Sequence, residues 1–326
     1  MTEFQSQAPE KADQTSQTTG QSPERAGQTP FRSGFVALVG RPNVGKSTLL
    51  NACYGGKIAI TSDVAQTTRR RMRAVVNTPR SQLVIVDTPG LHKPKDALGK
   101  ELNKAALSEL ADVDVAAFLI DATRPVGRGD EWVANHVAAS KAAYKLLVIT
   151  KADLADQDKV RSQLEAGMAL AKFDDSVVVS ATEGFNVDTF LDIVSDHLPV
   201  GPKWFPDDMD VDLSDEDLVA EFIREKVLLN LRQEVPHSVG VVCDPIEWER
   251  GGKANISATI IVEREGQKGI VIGHGGSMIK RIGIAARRDV EKLLDAKCYL
   301  DLRVQVRPQW RKDQSEISRM GLKVEE

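Results

Sequence analysis

The 326-residue chain carries 43 Lys and Arg against 47 Asp and Glu, a net charge of −4, so no global basic field exists and any nucleic-acid site must be local. Hydrophobic residues make up 41% and charged residues 28%, the balance of a globular protein long enough for about two domains. Three scattered cysteines, Cys53, Cys243 and Cys298, suggest neither a disulfide framework nor a zinc site, and no apolar run approaches the roughly 18 residues of a membrane span, so a cytoplasmic protein is expected.

Residues 1–32 are rich in Gln, Thr and Ser and nearly free of apolar residues, which predicts a disordered tail with no signal peptide. From Phe35 short apolar runs alternate with helical stretches. FVALV (35–39), LVIVD (83–87), VAAFLID (115–121), KLLVIT (145–150) and SVVVS (176–180) read as buried parallel strands. Segments 97–110 and 128–141 have the length and pattern of helices, so 33–198 is expected to be an α/β domain with a doubly wound, mostly parallel sheet. PVGPKWFP and the acidic DDMDVDLSDED mark a linker over 199–214. A second domain, 215–310, reads as a helix (Leu218 to Leu231), two strands (Ser238 to Trp248 and Ala254 to Arg264), a glycine-rich turn, a helix (about Ile284 to Leu294) and a strand (Tyr299 to Val306). Residues 311–326 are charged and mixed, and read as a C-terminal tail.

The first motif, Gly40-Arg-Pro-Asn43-Val44-Gly45-Lys46-Ser47-Thr48, fits GxxxxGK[ST] between a buried strand and a helix. Its glycines let backbone N–H groups converge on phosphate oxygens, and the helix start adds a positive dipole end. Lys46 would reach the β- and γ-phosphates, Ser47 would ligate Mg²⁺, and Asn43 would face the site. Asp87-Thr-Pro-Gly90 ends the strand LVIVD, placing a carboxylate near the metal and the Gly90 N–H near the γ-phosphate. Between them, AQTTRRRMR (65–73) offers a threonine hydroxyl, Thr68, to Mg²⁺ and reads as a switch ordered by the γ-phosphate.

Base identity is expected further on. Asp153 of Thr150-Lys151-Ala-Asp153 can accept from guanine N1–H and its exocyclic amine, a pair of donors adenine lacks. The stem of Lys151 would cover the base, and Ser180-Ala181-Thr182 would give a backbone N–H to the guanine oxygen.

GRPNVGKS, QTTR, DTPG, TKAD and SAT stand in the order of the five motifs of translation-factor-type P-loop GTPases, and their wording is similar to the ribosome-assembly branch. The resemblance implies binding and hydrolysis of GTP to GDP with Mg²⁺. Two positions depart from it: Thr150 replaces the usual asparagine, and Leu91, followed by His92, stands where many GTPases have a catalytic glutamine. Slow intrinsic turnover is therefore expected, helped by a monovalent cation, K⁺, near Asn43, as the resemblance to potassium-stimulated members implies.

A second glycine turn, Gly273-His274-Gly275-Gly276, has no Lys-Ser pair to close a phosphate loop, and Met278 occupies the third glycine position of GxGxxG. Alone it reads more readily as a plain turn between helices. The element order around it, and six basic residues (Arg264, Lys268, Lys280, Arg281, Arg287, Arg288) against one acidic, Glu265, favour the GxxG loop of an RNA-binding KH domain. REKVLLNLRQEVPHSVGV and IIVEREGQKGIVIGHGGSMIKRIGIAARRDVE resemble the second domain of the Era family of bacterial ribosome-assembly GTPases, and the resemblance covers about 34–308. It implies a type II KH domain, a monomer, and binding to small-subunit ribosomal RNA near its 3′ end during 30S subunit maturation. Some members also associate with the inner face of the cell membrane. The competing expectation is an RNA-binding module in which the nucleotide is structural and hydrolysis incidental.

Overall fold

The computed structural model describes residues 30–62, 67–70, 72–91, 94, 97–231, 238–320 and 322; the expected N-terminal tail up to 29 and His92 lie outside them. The first domain runs β1 (Arg32–Gly40), α1 (Lys46–Tyr54), β2 (Met72–Asn77), β3 (Ser81–Asp87), α2 (Ala97–Ala111), β4 (Val115–Asp121) and α3 (Arg128–Ala139). It continues with β5 (Tyr144–Thr150), α4 (Gln157–Met168), β6 (Asp175–Val178) and α5 (Val187–His197). The strands form one sheet ordered β2-β3-β1-β4-β5-β6, parallel throughout except for β2, which pairs antiparallel with β3. β3 and β4 are buried at every residue, which is why they are apolar without alternation. β1 lies between β3 and β4, so its carboxyl end opens at the switch point of the topology, where α/β sheets hold ligands.

The second domain holds α6 (Asp215–Asn230), β7 (Gly240–Cys243), β8 (Glu247–Trp248), β9 (Ala254–Val262), α7 (Glu265–Ile272), α8 (Ser277–Leu293) and β10 (Cys298–Val306). β9 is the central strand, parallel to β10 and antiparallel to β7 and β8. The side chain of Ser214 caps α6 by accepting from the Asp217 N–H, and three acidic residues in its first turn complement the helix dipole. Ile282, Ala286 and Val290 are buried at a four-residue spacing on α8, against α6 and the sheet.

Three sequence expectations are corrected here. The strand expected over Ser238 to Trp248 breaks at Asp244 and Pro245, where proline has no N–H to give the ladder. The helix expected from about Ile284 begins at Ser277, directly after Gly276, and α7 precedes the glycine turn. The tail expected from 311 instead folds back: a short helix, α9 (Gln314–Arg319), brings Ile317, Met320 and Leu322 together with Trp310 in a buried cluster. That cluster includes Ile261 of β9 and also Leu98 and Leu102 of α2, so it joins the two domains. The Trp310 indole N–H donates to the Ser238 carbonyl at 2.9 Å.

The linker is held along its length. Val200 bridges Arg32, the Gln82 amide accepts from the Trp204 and Phe205 N–H groups at 2.7 and 2.9 Å, and Val211 bridges Ala74 on β2. No helix among the described residues is long and apolar enough to cross a membrane.

Candidate functional site

The loop after β1 is shaped by close packing. A Cβ on Gly40 would stand 2.8 Å from the Leu119 carbonyl oxygen, and one on Gly90 would stand 2.7 Å from the Pro42 nitrogen. Gly45 enters α1 at φ 98°, a left-handed conformation that glycine adopts without a Cβ penalty. Val44 turns its side chain into the core, so its contribution to the loop is main-chain. The result is a cavity of about 360 Å³ whose lining includes Asn43, Gly45, Lys46, Ser47, Thr48, Thr68, Gly90, Lys151 and Thr182.

Lys46 is buried and arches over the loop, its Nζ 3.1 Å from the Arg41 carbonyl and 3.5 Å from that of Gly40. Burial pushes its ammonium down to about 8, with the Asp87 charge opposing the shift. Ser47, Thr68 and Asp87 meet: Ser47 Oγ donates to Asp87 Oδ2 at 2.7 Å, Thr68 Oγ1 does so at 3.1 Å, and the two hydroxyls are 3.0 Å apart. Burial raises the Asp87 carboxyl, while Lys46, Ser47 and Thr68 hold it back. Its second oxygen, Oδ1, is buried with no hydrogen-bond partner among the described residues. Three converging oxygen groups and a spare carboxylate oxygen fit a hard divalent cation such as Mg²⁺, held directly or through water.

At the other end, Asp153 is exposed and Ser180 fixes it, donating from Oγ to Oδ1 at 2.6 Å. Lys151 reaches the Asn43 carbonyl and the Asp121 carboxylate, each at 2.7 Å. Thr150 Oγ1 lies 2.6 Å from the Val44 carbonyl, so the motif after β5 is tied to the phosphate loop. Ala181 is partly buried against the core. Leu91 is fully buried with Ala37, Val39 and Phe118, so the position after DTPG packs the core and presents nothing to a reacting water.

The second glycine turn sits where α7 hands over to α8. Gly275 and Gly276 have φ of 57° and 78°, and a Cβ on either would meet nothing within 4 Å. His274 and Gly275 are exposed, as are Lys280, Arg281 and Arg288 on the outer side of α8. The basic residues therefore flank an open main-chain turn, as a phosphate backbone requires.

Residues 35–151 match the family model of 50S ribosome-binding GTPases, and residues 234–311 match the KH-domain model. The chain is similar to the crystal structure of Era in complex with MgGDPNP and nucleotides 1506–1542 of 16S ribosomal RNA, with a TM-score of 0.86 and 36% identity over 90% of this chain and 100% of that one. The chain belongs to the Era family of GTPases. A single-residue variant of Aquifex aeolicus Era bound to GDP·AlF4⁻ gives a TM-score of 0.85 at the same identity and coverage. The Era fold, a P-loop GTPase domain followed by a KH domain, is thus the fold of this chain, as the motif order implied.

In this Era family member the two sites are joined where the switch segment of the second motif, and Lys57 before it, pair with residues of α6 and α8 that no motif marks. Described residues between α1 and β2 lie against α6: Arg224, only 2% exposed, donates to the Thr67 carbonyl, and the Thr61 N–H donates to Glu225 Oε1 at 3.0 Å. Arg70 pairs with Asp217, and Arg69 reaches the Val239 carbonyl while stacking 5.7 Å from the Trp310 ring. Lys57 pairs with Glu225 and with Asp289 of α8, and Lys226 reaches the same two carboxylates at 2.7 and 2.5 Å. Burial works to raise the Asp289 carboxyl, but Lys226 and Lys57 beside it hold it below the usual carboxylate range. Leu229 of α6 reaches the wall of the 360 Å³ cavity itself. A signal for Arg224 existed: helical spacing places it four residues from Ala220 and Leu228, on the buried face of α6.

Proposed function

We propose that the chain is a GTP-hydrolysing switch that binds small-subunit ribosomal RNA near its 3′ end through the KH domain and assists 30S subunit maturation in the cytoplasm. The observation that carries this reading is the double attachment of one segment: Thr68 is bonded to Ser47 and Asp87, while the adjacent Thr67 carbonyl is held by Arg224 of α6. Whatever orders residue 68 against the phosphates therefore acts on the first helix of the KH domain.

Lys46 and the N–H groups at the start of α1 would cradle the β- and γ-phosphates, and the Gly90 N–H would meet the γ-phosphate oxygens. Ser47, Thr68 and Asp87 would hold Mg²⁺, which neutralises charge developing on the transferred phosphoryl group. Asp153 would read the guanine donors while Ser180 keeps its carboxylate in place. With Leu91 buried, no side chain at that position orients the attacking water, which supports slow intrinsic turnover. The KH turn at Gly273–Gly276 would take the RNA backbone, with Lys280, Arg281 and Arg288 neutralising phosphates.

The test is turnover of GTP against ATP, with and without a transcript of the 3′ end of small-subunit ribosomal RNA. The reading expects GTP-selective hydrolysis that responds to the RNA. Equal use of both nucleotides, or no effect of RNA on turnover or binding, would reject it.

A further inference from the structure

Thr150 stands where the fourth motif of most such GTPases has asparagine, and its surroundings commit its hydroxyl. The side chain is 3% exposed, with Oγ1 2.6 Å from the Val44 carbonyl and 3.1 Å from that of Ile120. It also lies against the loop, its Cβ and Oγ1 both 3.7 Å from where a Cβ on Gly45 would stand. A hydroxyl owns one proton, and both oxygen neighbours are acceptors, so that proton is given to main chain. An asparagine here would own two N–H groups, enough for a loop carbonyl and for one acceptor on a base.

The rest of this end is arranged to read donors. Asp153 is an acceptor whose Oδ1 is engaged by Ser180, leaving Oδ2 for the N1–H and amino group of guanine. The Lys151 ammonium is held between the Asn43 carbonyl and the Asp121 carboxylate. Guanine N7 is an acceptor, so reading it takes a donor. Resting on the GTP-binding function proposed above, we infer that this GTPase reads guanine through its Watson–Crick edge and leaves N7 unread. Thr150 is then a positioning residue for the phosphate loop, and the protein accepts guanine nucleotides altered at N7.

Displacement of a fluorescent GDP by GTP and by 7-deaza-GTP, in which a C–H replaces N7, tests this on the full chain. The wild-type protein is expected to bind the two within about threefold of each other, and a larger preference for GTP overturns the inference. Thr150→Asn supplies the missing donor and is expected to acquire a preference for GTP of about fivefold; an asparagine variant that still binds both alike overturns the assignment of this discrimination to position 150. Thr150→Val is expected to weaken both nucleotides by about the same factor, about tenfold, and Thr150→Ser to restore them; a change in their ratio contradicts a purely positioning role. Failure of the wild-type chain to bind either nucleotide would overturn the GTPase reading and this inference with it, whereas binding with a strong N7 preference overturns the inference alone.

Discussion

The phosphate loop and the KH turn are both built on glycine, but the space around their glycines differs. Gly40 and Gly90 are pressed against the main chain of Leu119 and Pro42, leaving no room for a methyl group. Gly273 opens the KH turn packed against Met278, but Gly275 and Gly276 at its tip face open space, and only their positive φ values ask for glycine. The first arrangement walls a cavity of about 360 Å³, suited to a small anion; the second leaves a turn open on one side, as a long one would need. Packing a cradle and exposing a turn are separate uses of the same residue, and substitutions separate them.

Lys46→Ala makes the largest break, because the other ammonium lining the cavity, that of Lys151, is held by the Asn43 carbonyl and Asp121. Turnover measured by phosphate release is expected to fall about a hundredfold or more, with RNA affinity of the nucleotide-free chain little changed. Gly90→Ala should follow: its methyl group would meet the Pro42 nitrogen at 2.7 Å, so the loop must move, and turnover is expected to drop by about ten- to a hundredfold. If Gly90→Ala is silent, the cradle is not held by packing and the contrast fails. Gly275→Asp with Gly276→Asp has room for the new side chains but sets two carboxylates where phosphates would approach. RNA affinity in a filter-binding assay is expected to fall about tenfold, with GTP turnover in the absence of RNA unaltered. The smallest effect is expected from Lys57→Ala. Its side chain is about a third exposed, and Lys226 remains to neutralise Glu225 and Asp289. The contact is worth at most about 1 kcal/mol after screening, so the melting temperature should fall by no more than about 3 °C.

The same contrast explains what could be read from the sequence. Buried parallel strands are apolar along their whole length, so β3, β4 and β5 are plain in the sequence, and the ends of β1, β3 and β5 open onto GTPase motifs in order. β2 is hidden in the sequence because Met72–Asn77 is an edge strand beginning inside a run of arginines, of which Arg69 and Arg70 face the second domain while Arg73 pairs with Glu109 of α2. The start of α8 was placed late because glycines and a serine disguise a helix that begins in the turn itself. The C-terminal segment escaped notice because its apolar residues, Trp310, Ile317, Met320 and Leu322, are few and become a core only beside α2 and β9. Contacts of that kind depend on two distant segments together, and one segment's pattern cannot announce them. At the site, motif wording picks out residues that line the cavity, among them Asn43, Lys46, Ser47, Thr68 and Lys151, while Arg224, Glu225 and Asp289 belong to an interface that no motif marks.

Communication between the two glycine sites would run through the segment held between Ser47 and Arg224. The most direct test is the affinity of the full chain for the 3′-end ribosomal RNA with a GTP analogue and with GDP, in the wild-type protein and in Arg224→Ala. The wild-type chain is predicted to bind RNA about tenfold or more tightly with the GTP analogue, and Arg224→Ala to narrow that ratio to about twofold while nucleotide affinity changes little. Equal RNA affinity in the two nucleotide states of the wild-type protein would contradict it.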